Sequence, residues 1–84
     1  MKDEYIEIRG KKYKVLFGGN NVPELIRMFT AFMDWEKPAY LDKDGRLLRA
    51  DGKDVSVVIE LYRGKHWVLE KAYYEGNTNK KKIQ

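Results

Sequence analysis

The chain contains no cysteine, which excludes disulfide bridges, a thiolate nucleophile and Cys-ligated zinc together and agrees with a reducing compartment. It contains one histidine, His66, which leaves little from which to build a His-based metal site, so neither metal nor cofactor is expected. No apolar run approaches the roughly 18 residues of a membrane span. The opening Met1-Lys2-Asp3-Glu4 lacks the apolar stretch of a signal peptide, and the expectation is a cytoplasmic protein with no membrane partner. What is present suits a small globular protein: 84 residues, enough for one core, of which 43% are hydrophobic and eleven are aromatic. The formal charge of +4 is mostly a property of Lys80, Lys81 and Lys82, because residues 1–79 carry 14 positive and 13 negative side chains. Any argument for nucleic acid must therefore rest on where charges gather, not on their total.

Tyr5-Ile6-Glu7-Ile8 and Tyr13-Lys14-Val15-Leu16-Phe17 alternate apolar and polar on either side of Gly10-Lys11, which predicts a hairpin with a two-residue turn at that pair. That turn sets Ile8 opposite Tyr13 and Ile6 opposite Val15, with Ile6, Ile8, Tyr13, Val15 and Phe17 on one face. Gly18-Gly19-Asn20 then breaks the strand. Asn21 as N-cap, Glu24 three residues on and Pro23 in the first turn mark a helix start. From Val22 to Glu36 the apolar residues cover about half the circumference of a helix, and Pro38 ends it.

Ala39-Tyr40-Leu41 and Leu47-Leu48 flank the turn sequence Asp42-Lys43-Asp44-Gly45 and read as a short hairpin, followed by a second turn at Ala50–Lys53. Val55 to Tyr62 and His66 to Tyr74 read as two strands. A three-residue loop, Arg63-Gly64-Lys65, puts Val55, Val57, Ile59, Leu61, Trp67, Leu69 and Tyr73 on one face. The predicted fold is α+β: an antiparallel sheet of four to six strands in the order β-β-α-β-β-β-β, with one amphipathic helix packed on one face. The second face is left open. This domain spans 1–76, and 77–84 is a basic polar tail expected to be disordered.

Few of the residues carry a catalytic pattern. Gly18-Gly19-Asn20-Asn21 lacks the Lys-Ser/Thr of a phosphate loop, and reads as a reversal from strand to helix. Asp42-Lys43-Asp44-Gly45 is a fragment of a calcium loop without its third carboxylate or its closing Glu, and reads as a solvated turn. His66 with Glu60, Tyr62, Arg63 and Lys65 has the residue types of a small ribonuclease-like toxin, but a hairpin tip is convex where general acid–base groups must converge. No catalytic constellation is found, so the protein is not expected to be an enzyme.

Two binding readings remain. The favoured one is a protein-binding inhibitor or adaptor, because the helix offers more apolar surface than one sheet face needs. Its expected anchors are Met28 and Trp35 at one border of that surface, with Tyr62 and Tyr74 on the open sheet face. The alternative is nucleic-acid binding by two basic hairpin tips, Arg9, Lys11 and Lys12 on one and Arg63, Lys65 and His66 on the other, provided the tips share one end of the sheet. Homodimerisation through the open face would use the same surface. In size and in lacking a catalytic set, the chain resembles the compact stand-alone proteins by which phages and other mobile elements block a host machine. That resemblance implies an inhibitor.

Overall fold

Two Arg-Gly pairs set the geometry of the sheet. At Arg9-Gly10 and again at Arg63-Gly64 both residues take positive φ, +52° and +79° in the first pair, +55° and +79° in the second. Left-handed backbone at both central positions is the two-residue turn whose twist matches that of the strands it joins, and glycine takes the second place without strain. The structure, a computed structural model, describes residues 4–72. Its elements are β1 (Tyr5–Ile8), β2 (Lys11–Gly19), α1 (Val22–Phe32), β3 (Tyr40–Leu41), β4 (Arg46–Leu48), β5 (Asp54–Tyr62) and β6 (Lys65–Lys71). The six strands form one antiparallel sheet in the spatial order β1-β2-β6-β5-β4-β3. This is a small α+β domain with a single helix among the described residues. Tyr73, Tyr74 and the tail 77–84 lie outside the described residues.

The first turn falls one residue earlier than its sequence suggests, so Ile8 pairs with Lys11 and Ile6 with Tyr13. Sliding a two-residue turn by one position moves each pairing by two, and Ile6, Ile8, Tyr13 and Val15 keep a common face. Phe17 does not stay with them. Val15 pairs with Leu69 but Phe17 pairs with Val68, so Leu16 is an extra residue, a bulge that reverses the alternation beyond it. The second turn has two residues rather than three: Tyr62 pairs with Lys65, Ile59 with Val68 and Val58 with Leu69. One residue fewer flips the whole of β6. Val68 therefore joins Val57 and Ile59, while Trp67 and Leu69 take the opposite face with Val58 and Tyr62.

α1 starts where its capping signals place it, with the Asn21 side chain accepting from the Glu24 N–H at 3.0 Å. It ends four residues before Glu36, the end that the apolar pattern predicts. Met33 caps it, and Asp34 turns left-handed at φ +61°. The Asp34 N–H then donates to the Ala31 carbonyl (3.0 Å) and the Trp35 N–H to that of Thr30 (3.1 Å). These two bonds close a Schellman motif, in which aspartate occupies the place glycine usually takes. The accompanying apolar contact is Trp35 against Phe29, edge to face with centroids 5.5 Å apart. Thr30 ties the return: its hydroxyl donates to the Ile26 carbonyl (2.9 Å) and accepts from the Ala39 N–H (3.0 Å).

Both sheet faces are buried. On the helix side Leu25, Phe29, Ala39, Leu47, Val57, Ile59 and Val68 form the main core. On the other side, which the alternation leaves open, Ile8, Tyr13, Val58 and Leu69 form a second core with Ile6, Val15, Tyr62 and Trp67 around it. No helix covers this face among the described residues, so the sheet covers itself. β1 and β5 stand three strand positions apart, about 14 Å in a flat sheet. Yet Arg9 Nη2 lies 2.8 Å from Glu60 Oε2, which brings the first hairpin over the C-terminal part of β5. Gly18 makes room for the curl: a Cβ there would stand 2.5 Å from Trp67 Cε3, so the indole lies directly on bare backbone. The indole N–H donates to the Tyr62 carbonyl at 3.0 Å.

Candidate functional site

The expected protein-binding residues do not form one surface. Trp35 is part of the helix stop, with its ring packed on the main core. Tyr62 is half-buried at the edge of the second core, on the far side of the sheet, with the Arg63 guanidinium over its ring. Tyr74 lies outside the described residues. Of the three described, Met28 alone is exposed, at 40%. The surplus apolar surface is nevertheless there, displaced by one helical turn. Phe32, four residues after Met28 and on the same border of α1, is 62% exposed, and Met33 at the helix end is also exposed. Phe32 is held edge-on by Phe17 at 6.1 Å and against Phe29 at 6.4 Å between centroids. The other border of α1 is closed, because the bond from Ala39 to Thr30 folds the chain back over it.

The expected cations fare differently from one another. The β2–β6 ladder, with Tyr13 opposite Lys71 and Gly19 opposite His66, puts the two Arg-Gly turns at opposite ends of that strand pair. They do not share one end as the nucleic-acid reading requires. Only the curl brings Arg9 back, and there it is bound to Glu60. Lys12 stands over the Tyr5 ring on the helix side of the sheet (4.9 Å), whereas Lys65 stands over Trp67 on the curled side (4.9 Å). His66 belongs to the helix side, opposite Leu61 and Gly19. Glu60 and Tyr62 belong to the curled side, so the acid–base set of a ribonuclease is split by the sheet itself.

The acidic turn is closed by its own residues. Asp42 accepts through Oδ1 from the N–H groups of Asp44 and Arg46 and through Oδ2 from Arg46 Nε, each at 2.9 Å. The Arg46 N–H bond is the chief reason its carboxyl lies below the usual range. Asp51 behaves alike: Arg49 grips both its oxygens, at 3.0 and 2.6 Å. The guanidinium bond, followed by the Lys53 N–H, lowers the Asp51 pKa to about 2. This pair and Trp35, Glu36 and Lys37 line a shallow cleft of about 300 Å³. Among the described residues no group of acidic side chains and histidine is arranged to hold a metal ion. Gly18 and Gly19, which open the reversal from strand to helix, are both explained by packing, against Trp67 and Leu25. No helix among the described residues is long and apolar enough to cross a membrane.

The fold thus defines a two-layer α+β domain with an apolar helix edge on one side and a cation-bordered curled face on the other. Comparison with protein-family models, with curated proteins and with solved structures found no match.

Proposed function

We propose that the protein is a non-catalytic binding protein of the inhibitor or adaptor kind, and that a protein partner docks on the Met28–Phe32 edge of α1. The observation that carries the reading is the exposure of Phe32, at 62%, directly beside the fully buried Phe29. A phenyl ring left in water forgoes about 1.5–3 kcal/mol of burial free energy. Phe17 and Phe29 hold the ring, so little rotamer freedom remains to be lost on docking. Aromatic and methionine side chains are the types enriched at interface centres. A cytoplasmic setting suits a chain without cysteine, and a phage or mobile-element origin fits its size.

The test is capture from lysate of the native host on immobilised protein, washed at low and high salt. The reading expects a protein retained through the high-salt wash by the unaltered chain and by R63E/K65E, but lost with M28S/F32S. If M28S/F32S retains the same partner, the helix edge is not the docking site.

A further inference from the structure

The near-neutral charge of residues 1–79 conceals a local gathering of cations on the curled side of the sheet. On and around α1 the charges balance closely: Arg27 is paired with Glu24, and Lys37 follows Asp34 and Glu36 at the helix end. On the curled face the β4 edge is balanced, with Arg46 lying among Asp42, Asp44 and Asp54, and the excess of cations is along β1, β2 and β6 and at the turns. Arg9, Lys11, Lys65 and Lys71 lie on that part of the face with Arg63 at its turn, against Glu4 and Glu60. Of these five cations only Arg9 has a carboxylate partner among the described residues, and that is Glu60. Two others rest on aromatic rings, Lys65 on Trp67 at 4.9 Å and Arg63 on Tyr62 at 5.4 Å.

We infer that this curled face is a second binding surface, and that its ligand is single-stranded nucleic acid. Charge complementarity calls for a polyanion. The paired composition narrows the choice: each of two neighbouring positions offers a cation together with an aromatic face. A nucleotide presents the matching pair, a phosphate and a flat base, in every repeat. An acidic peptide presents carboxylates alone. On binding, Lys65 and Arg63 swing from the rings to phosphates, and bases take the ring faces they leave. Lys11 and Lys71, toward the other end of β2 and β6, continue the cationic track. Arg occupies the left-handed first position of both turns, where Asn or Gly would be less strained. That choice is accounted for at Arg63 by a phosphate-binding role.

Fluorescence anisotropy of a labelled oligothymidylate of about twelve nucleotides tests this on the full chain, with polyglutamate as the competing polyanion. The inference expects binding whose log affinity falls with log salt by about 0.7 for each phosphate contacted. R63E/K65E lowers affinity on the order of tenfold or more, and K11E, at an exposed position beside the other turn, lowers it in the same direction. With Trp35→Phe, Trp67 is the sole remaining indole, and its emission is quenched by the oligonucleotide but not by polyglutamate. Phe32→Ser leaves oligonucleotide binding unchanged, which separates this surface from the helix edge. No binding at low salt, unaltered affinity in both charge variants, or equal competition and quenching by polyglutamate would each overturn the inference.

Discussion

The helix side and the curled side of this sheet reach burial by different routes, and each route leaves a different residue on the surface. On the helix side a separate element supplies the cover. Leu25 and Phe29 plug the main core, but eleven helical residues with a wide apolar arc cannot all face inward, and Phe32 and Met28 are left over. On the curled side the sheet bends over itself, so the cover is backbone and strand side chains, and the periphery is made of turn residues. Turns carry cations here, so this side leaves charge where the other leaves hydrocarbon. The lesson is that the manner in which a core is closed decides the chemistry available at its border.

The comparison is broken most severely by emptying one core at a time. Phe29→Ala should cost about 3–5 kcal/mol and Leu69→Ala about 2–5 kcal/mol in urea unfolding, since both side chains are fully buried. If the cores are one cooperative unit, both variants unfold in a single transition at every probe. A next, smaller effect separates the curl from the helix. Gly18→Ala drives a methyl into the Trp67 ring and should cost about 1–3 kcal/mol while shifting Trp67 emission to the red, with α1 helicity unchanged by circular dichroism. On the helix side the counterpart is Thr30→Val, which keeps the shape but leaves the buried Ala39 N–H without its acceptor. A loss of about 1–3 kcal/mol is expected.

The smallest effect concerns acid. The folded-state pKa of Asp51 is depressed to about 2 by Arg49, and that of Asp42 is lowered by Arg46. For a depressed carboxylate the stabilising contribution is complete above the unfolded pKa of about 3.9 and disappears as pH falls through the folded value. Asp51 therefore contributes above about pH 4 and stops contributing by about pH 2. The pair is solvent-exposed, so the effect is small. Thermal melts of Asp51→Asn should lie slightly below those of the wild type near neutrality and converge with them as pH falls to about 2.

Which features were legible follows from how β structure counts. The first hairpin's turn is one residue earlier than Gly10-Lys11 suggests, yet its faces came out right for Ile6, Ile8, Tyr13 and Val15, because a slide changes the pairing by two. The second turn is one residue shorter than expected, and that odd change moved Trp67 and Leu69 to the wrong side. The repeated Arg-Gly-Lys at 9–11 and 63–65 was the available signal, since two identical turns argue for equal loop lengths. The Leu16 bulge has no marker in the alternation. The helix stop is hidden in the sequence because Asp34 takes the left-handed position where glycine would announce it, and so the apolar pattern carries Trp35 as a helical residue on display. Phe32 was readable as an edge residue, four positions from Met28 on the same border. The ambiguity was which border the return segment would close, and Thr30 with Ala39 settled it.

The central claim is that the main core is complete without Phe32. Chemical unfolding of Phe32→Ala beside Phe29→Ala measures this directly, with no partner required. The account predicts a loss of no more than about 1 kcal/mol for Phe32→Ala, as expected for a ring only partly withdrawn from water, against several for its neighbour. Equal losses in the two variants would contradict it, because Phe32 would then be a structural residue and α1 would have no surplus edge to offer.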